Sequence, residues 1–155
     1  MLEVNLVADL FIATLEGIKS KKQVKKFYDQ YELLFDHDTV ALEAKFDHVI
    51  TTLAMIYPEG LSDTEFRRPH LFYSLFTAVA HSLFGLPGLA AEFVGIQPAP
   101  EAIRSRLERV DEIFAESDLQ NLNKAEQQFL TDSRRATTDE KVRVRRTEFL
   151  LKLTT

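Results

Sequence analysis

One stretch of the chain, residues 67–85, most constrains the fold; it reads RRPHLFYSLFTAVAHSLFG. Pro69 suits the first position of a helix, where its missing N–H is not needed, and Gly85 followed by Pro87-Gly88 suits a helix end. Between these signals, apolar residues fall on nearly every side of the helix: Leu71, Phe72, Leu75, Phe76, Ala78, Val79, Leu83 and Phe84. Such a helix must be surrounded by other elements. The sequence therefore predicts a bundle around a central helix at about 69–85.

The rest of the chain also has helical periodicity. Apolar residues recur at three- and four-residue spacing in five further segments, at about 6–17, 24–31, 39–57, 100–114 and 123–134. The segment at 36–38 is predicted as a break and cap before the helix at 39. A last helix is predicted at about 138–153, with Thr137 or Thr138 as its cap. Residues 89–100 are predicted as irregular chain or one short helix. We expect one all-α domain over residues 1–155, a bundle of six to seven helices.

Composition narrows the class of protein. A chain of 155 residues can bury a core of its own without covalent staples. The absence of cysteine excludes disulfides, thiolate zinc sites and cysteine nucleophiles, and it suits a reducing compartment. No run of about 18 apolar residues occurs, and Glu3 and Asp9 lie where a signal peptide would be uncharged. We expect a cytoplasmic protein without membrane contact.

A narrow polar stripe crosses the central helix; it consists of His70, Ser74, Thr77 and His81. As a catalytic site, the stripe would make the chain a helical ribonuclease or hydrolase that uses His70 or His81. The two histidines would lie about 16 Å apart along the helix, however, so they cannot share a metal ion. The stripe also lacks the arginine–histidine pair of helical ribonucleases and an acid that would orient a histidine base. We expect a structural polar seam that hydrogen-bonds neighbouring helices.

No other motif carries chemistry. The segment FGLPGLA lacks the lysine and the spacing of a phosphate-binding loop. Asp36, His37 and Asp38 are metal-ligand types, but adjacent residues in a turn rarely converge on one ion. The twelve phenylalanines could line a gap for a small apolar ligand, although they fill a core more commonly. We predict no catalytic residue, no cofactor and no metal site, and we expect that the chain is not an enzyme.

Charge is unevenly distributed along the chain. Residues 1–132 carry 12 basic and 21 acidic residues, a balance of −9, whereas residues 133–155 carry 7 basic and 3 acidic residues, a balance of +4. A basic helix can contact nucleic-acid phosphates, and the candidate contacts are Arg134, Arg135, Lys141, Arg143 and Arg145. A solvated or intramolecular role of these residues is the alternative.

Arg146 stands apart from these basic residues. It falls on the edge of the apolar face of the last helix, which is predicted to consist of Val142, Phe149 and Leu153. A guanidinium at that position predicts a buried ion pair with a carboxylate of a neighbouring helix or of a partner.

Three stretches of the chain carry a resemblance to a known family: LVADLFIATLEGIKSKKQVKKFYDQYE, FRRPHLFYSLFTAVAHSLFG and FLTDSRRATTDEKVRVRRTEFLLKL. In order and spacing they resemble the helical C-terminal region of a bacterial family whose N-terminal module is ParB/sulfiredoxin-like. That module carries an Asp-Gly-Gln-Gln-Arg (DGQQR) motif and is related to the GmrS half of GmrSD-type (type IV), modification-dependent restriction enzymes. Neither this motif nor a His-Asn-His nuclease module occurs here, so the resemblance carries over no catalytic residue.

The resemblance implies a function for such a domain. It would be a non-catalytic accessory or interaction domain of a bacterial DNA-targeting defence protein. Its partner would be the N-terminal nucleotide-handling module or a second copy of the chain. The alternative is a DNA-contacting domain that uses the basic C-terminal helix, and the remote alternative is the helical hydrolase described above.

Overall fold

All regular secondary structure in the described residues is helical, as predicted. The computed structural model describes residues 2–92 and 98–155, with side chains from residue 5 onward. Residues 93–97, within the stretch predicted as irregular chain or a short helix, lie outside the described residues. The described residues form seven α-helices: α1 (Leu2–Glu16), α2 (Lys21–Leu33), α3 (Thr39–Ile56), α4 (Pro69–Phe84), α5 (Pro100–Ala115), α6 (Lys124–Asp132) and α7 (Glu140–Thr154). Single 3₁₀ turns lie at Glu65–Arg67 and Leu119–Asn121.

Helix α4 forms the centre of the bundle, as predicted. It packs against α1, α3 and α7, and every residue from Tyr73 to Ser82 is buried. Helix α5 adds its apolar face to the same core through Ile103, Leu107, Val110 and Ile113. A helix enclosed on this many sides needs apolar residues around most of its circumference, which is the pattern seen in its sequence.

Short polar side chains define where several helices begin. Asp38 accepts the backbone N–H groups of Val40 and Ala41 at 3.0 and 3.1 Å and starts α3. Ser20 and Gln23 form a capping box at the start of α2, and Asn123 with Glu126 forms another at the start of α6. These contacts satisfy amide groups that the first helical turn leaves unpaired. The break and cap predicted at 36–38 is confirmed.

The start of α7 differs from the prediction. Its N-cap is Asp139, so Thr137 and Thr138 lie before the helix. The Asp139 N–H donates to the carbonyl of Ala136, whose φ is 50°, and this bond closes a turn over residues 136–139. The Thr138 carbonyl accepts from the Lys21 N–H at 3.1 Å, and the Thr137 carbonyl accepts from the Arg146 side chain at 2.8 Å. These two hydrogen bonds hold residues 137 and 138 outside the helix.

The inner face of α7 also differs from the prediction. Phe149 and Leu153 are only half-buried, whereas the buried residues are Val142, Arg143, Arg146, Thr147, Leu150, Leu151 and Thr154. The predicted face contained only apolar residues. The observed inner face also contains Arg143, Arg146, Thr147 and Thr154. These polar side chains can be buried because each has a hydrogen-bond partner inside the bundle.

Candidate functional site

The polar stripe of α4 lies in the contact between α4, α7 and the end of α6. The His70 Nε2–H donates to the carbonyl of Ser133 at 2.9 Å. Burial, together with the nearby charge of Arg146, lowers the pKa of His70, so the imidazole is neutral at pH 7. The bond ties the first turn of α4 to the C-terminal end of α6.

His81, at the other end of the stripe, uses both ring nitrogens. Its Nδ1 accepts the Leu86 N–H at 2.9 Å, and its Nε2–H donates to the Ala91 carbonyl at 2.7 Å. The ring therefore holds the segment after α4, at Leu86 and Ala91, against the end of the helix. Neither nitrogen is left to act as a base toward a substrate.

Ser74 and Thr77 complete the stripe, and both contact α7. The hydroxyls of Thr77 and Thr147 lie 2.7 Å apart, and Ser74 Oγ accepts from Arg146 Nε at 2.9 Å. Both side chains are fully buried. The four residues of the stripe thus make the contacts of a structural seam, and no acid orients a nucleophile among them.

Arg146 is fully buried, but no carboxylate of the described residues forms the ion pair predicted for it. Its guanidinium donates to the backbone carbonyls of Asp132 and Thr137, both at 2.8 Å, besides Ser74. Burial and the neighbouring Arg143 lower the pKa of Arg146 to about 10, which leaves it charged at pH 7. The correction has a physical reason: backbone carbonyls carry the partial negative charge that a buried cation needs, and that of Asp132 lies at the C-terminal end of α6.

Arg143, one of the five candidate phosphate contacts, is also buried. Its guanidinium forms two hydrogen bonds to the Asp9 carboxylate, at 2.7 and 3.0 Å, and a third to the Lys19 carbonyl at 2.9 Å. The guanidinium carbon lies 4.1 Å from the ring centroid of Tyr73. Arg143 is therefore unavailable to a phosphate, which corrects the prediction for this residue.

The other four candidates lie at the surface: Arg134, Arg135, Lys141 and Arg145. Arg145 binds the buried Asp132 carboxylate at 2.7 and 2.9 Å while its side chain stays 47% exposed. The fold adds a basic neighbour that the sequence did not connect with them. Because the Lys21 N–H bonds Thr138, the exposed Lys21 and Lys22 at the start of α2 lie beside the turn before α7.

A different surface, the α1–α3 groove, is an apolar cavity that residues of α1, α2 and α3 form with Phe35. It has a volume of about 630 Å³. Its floor is α1, and α2 and α3 form its two walls; α1 packs against both, while the walls have no comparable contact with each other. Nine apolar or aromatic residues line it: Val7, Ala8, Phe11, Ile12, Leu15, Tyr28, Tyr31, Phe35 and Leu42.

The floor of the groove is anchored to the core. The Phe11 ring stacks on Phe46 with 4.5 Å between centroids, and Phe46 in turn lies 5.5 Å from Phe76 of α4. The groove is therefore a surface of the bundle itself. Leu33, the last residue of α2, and Leu34 after it have 90% and 72% of their surface exposed. Exposed patches of this kind commonly mark interaction sites.

The polar groups of the groove are mainly acidic. Glu32 on α2, with Glu43 and Thr39 on α3, completes the lining, and no lysine or arginine occurs among the described lining residues. At one side the Tyr31 hydroxyl donates to the Glu16 carboxylate and lies 3.4 Å from His37 Nε2. Burial and the Glu16 carboxylate raise the pKa of Tyr31 to about 12, so it remains a donor at neutral pH.

The apolar pattern at 24–31 predicted a helix but did not reveal the groove, because spacing within one helix does not show what covers its apolar face. The signal that could have revealed it is Leu33-Leu34-Phe35, an apolar run at the end of α2 and next to a turn. Such a run at a turn needs a partner or remains exposed.

The described part of the chain contains neither a group of metal-ligating side chains nor a membrane-spanning helix. No three His, Asp or Glu side chains within it lie close enough to hold a metal ion together. Asp38 is engaged as the cap of α3, and His37 lies against Tyr31. None of the described helices has the length and apolar character needed to cross a bilayer.

Comparisons with known proteins found no match to this chain among protein-family models, curated proteins or solved structures.

Proposed function

We propose that this chain is a non-catalytic protein-interaction domain that receives an apolar helix of a partner protein in the α1–α3 groove. One observation carries the proposal: two helices flank α1 and leave a gap of about 630 Å³ lined almost entirely by apolar side chains. A helix laid between α2 and α3 would complete a four-helix arrangement over α1. This is a common way in which an amphipathic segment is bound.

The setting of this interaction is a second part of the proposal. The resemblance described above favours a bacterial DNA-targeting defence protein, in which the partner would be the N-terminal nucleotide-handling module. That setting is supported by the sequence resemblance alone. The groove itself supports binding to any partner that presents an apolar helix.

Nuclear magnetic resonance titration tests the interaction. The ¹⁵N-labelled chain is mixed with a synthetic amphipathic helix of about 18 residues, long enough to be helical, with leucines along one face and uncharged polar residues elsewhere. We expect shifts confined to α1, α2 and the start of α3.

Two variants sharpen this test. Val7→Glu places a charge in the groove, whereas Met55→Glu changes a residue that is similarly exposed but lies outside the groove. The first should abolish the shifts and the second should leave them. Shifts spread evenly over the surface, or equal effects of the two variants, would refute the proposal.

A second function, DNA contact, is favoured by one specific observation. The backbone bond between Lys21 and Thr138 places the lysines at the start of α2 beside the basic turn that precedes α7. The revised contact set is Lys21, Lys22, Arg134, Arg135, Lys141 and Arg145. Arg143 is excluded because it is buried.

Fluorescence anisotropy of labelled duplex DNA, plain and base-modified, tests this second function at low and at physiological salt. Each phosphate contact contributes about −0.9 to the slope of log affinity against log salt, so Arg135→Gln with Lys141→Gln should make the slope less negative by roughly 2. Lys124→Gln, at an exposed position at the start of α6, is the control. Absent or salt-independent binding would argue against DNA contact.

A further inference from the structure

We infer that the partner segment received by the α1–α3 groove is an amphipathic helix whose apolar stripe is flanked on both sides by lysine or arginine. This inference rests on the proposed function, because it specifies the partner of the same groove. It comes from two observations: the lining of the groove is apolar and almost entirely helical, and each of its two walls carries a carboxylate.

The lining of the groove favours a helix over an extended peptide. Its floor is the side of α1 from Val7 to Leu15, about 12 Å at 1.5 Å per residue. The described residues that surround it are helical apart from Phe35 in the connection between α2 and α3, and no strand edge adjoins them. An extended peptide would leave its backbone N–H and C=O groups unpaired against apolar side chains. A helix satisfies those groups internally and presents only side chains.

The charges on the walls favour basic flanks. Glu32 on α2 and Glu43 on α3 are both exposed, and they belong to opposite walls of the groove. Because they stand on either side of the apolar floor, a bound helix meets one carboxylate along each flank. Complementary charges at an interface rim add specificity and speed of association, and like charges oppose binding.

The same charges disfavour two other occupants. In a symmetric dimer formed through this groove, the carboxylates of Glu32 and Glu43 would approach those of the second copy. The carboxylate of a fatty acid would meet the same acidic walls. A basic helix is the occupant that satisfies both the apolar floor and the acidic walls.

The test compares three peptides that share one leucine face and differ only in the flanking positions, which are lysine, glutamate or glutamine. Affinities are measured by anisotropy at low salt, and nuclear magnetic resonance shifts report where each peptide binds. The lysines on the two flanks of the peptide would pair with Glu32 and Glu43. We therefore expect the lysine peptide to bind roughly tenfold more tightly than the glutamine peptide, and the glutamate peptide to bind more weakly than either.

Variants assign the preference to the two carboxylates. In the double variant Glu32→Gln, Glu43→Gln the three affinities should converge, because the charges that separate them are gone. Glu59→Gln, at an exposed residue outside the groove, should preserve the preference. These substitutions remove surface charge without removing apolar packing, so the fold should be unaffected.

The remaining outcomes separate this inference from the proposed function. Equal binding of all three peptides in the groove would overturn the basic flanks and leave the interaction domain intact. Failure of every peptide to bind would overturn both. Self-association that protects the same residues, or uptake of a labelled fatty acid in preference to any peptide, would assign the groove to another occupant and overturn the inference.

Discussion

The carboxylate of Asp9 and the guanidinium of Arg143 join the first and last helices of the bundle through two hydrogen bonds of 2.7 and 3.0 Å. Both side chains are buried, with 2% and 4% of their residue surface exposed. Arg143 also holds the Lys19 carbonyl and covers the ring of Tyr73. One guanidinium therefore ties α1, the turn after it and α4 to α7.

The Asp9–Arg143 pair should be essential for stability and strongly coupled. Asp9→Ala or Arg143→Ala leaves a buried charge without its partner, so each should lower the free energy of unfolding by roughly 3–5 kcal/mol. The double variant should cost clearly less than the sum. Urea unfolding followed by circular dichroism measures all three. Lys141→Ala, at an exposed position on the same helix, should change stability by less than about 0.5 kcal/mol; additive or minor effects at Asp9 and Arg143 would contradict the pairing.

Arg146→Met should also destabilise the bundle, although it removes a buried charge. Methionine fills much of the space, but the carbonyls of Asp132 and Thr137 lose their donor inside the protein. Unsatisfied buried acceptors cost about 1–3 kcal/mol each, and relief of the burial cost of the cation offsets part of this. We expect a net loss of roughly 2–4 kcal/mol in urea unfolding. A neutral or stabilising result would show that relief of the buried charge outweighs the lost hydrogen bonds.

Gly17 should not tolerate a side chain. Its φ is 87°, and a Cβ atom there would overlap the carbonyl oxygen of Pro87. Gly60 has a similar φ of 85° but open space around the equivalent position. Gly60→Ala should therefore cost only the strain of the left-handed conformation, about 1–2 kcal/mol. Gly17→Ala should lower the free energy of unfolding by distinctly more, because the loop after α4 must also move. Thermal or urea unfolding measures the difference. Equal costs would indicate that this loop yields without penalty.

Stability should fall as the pH drops through the titration range of His70. Burial lowers the pKa of His70 in the folded state, so below the unfolded-state pKa of about 6.5 the unfolded chain binds more protons than the folded one. The free energy of unfolding therefore decreases as the pH falls below about 6.5, and this contribution is constant above it. His70→Gln can keep a donor toward the Ser133 carbonyl and removes the titration. Between pH 7.5 and pH 5.5, the urea midpoint of the variant should fall less than that of the unchanged protein. Parallel curves for the two proteins would exclude His70 as the titrating group.

Much of the helical framework follows from local signals. Pro69 begins α4 because its missing N–H is not needed there, and Gly85, with a positive φ, ends it. Asp38 begins α3 because its side chain accepts from the first turn. Each of these signals acts within one turn of the helix end. The apolar pattern of α4 also predicted its central position. The start of α7 was missed by two residues because the carbonyl of Thr138 is held by Lys21, far away in sequence, and that of Thr137 by the side chain of Arg146.

The candidate site was less predictable. Apolar spacing placed Val142, Phe149 and Leu153 inward on α7. The fold buries Val142 but leaves Phe149 and Leu153 half-buried, and it buries Arg143, which had been predicted as a phosphate contact. A buried guanidinium is stable only where acceptors surround it, and one set of those acceptors comes from Asp9, 134 positions earlier in the chain. No local pattern encodes such a partner.

The sequence by itself determined the helices and their order, because helical propensity, capping and amphipathic periodicity act over a few residues. Tertiary structure alone decided which basic residues remain at the surface and where an apolar face stays uncovered. The α1–α3 groove exists because α2 and α3 both pack on α1 but make no comparable contact with each other. That separation depends on the packing of three helices, and spacing within any one of them does not reveal it.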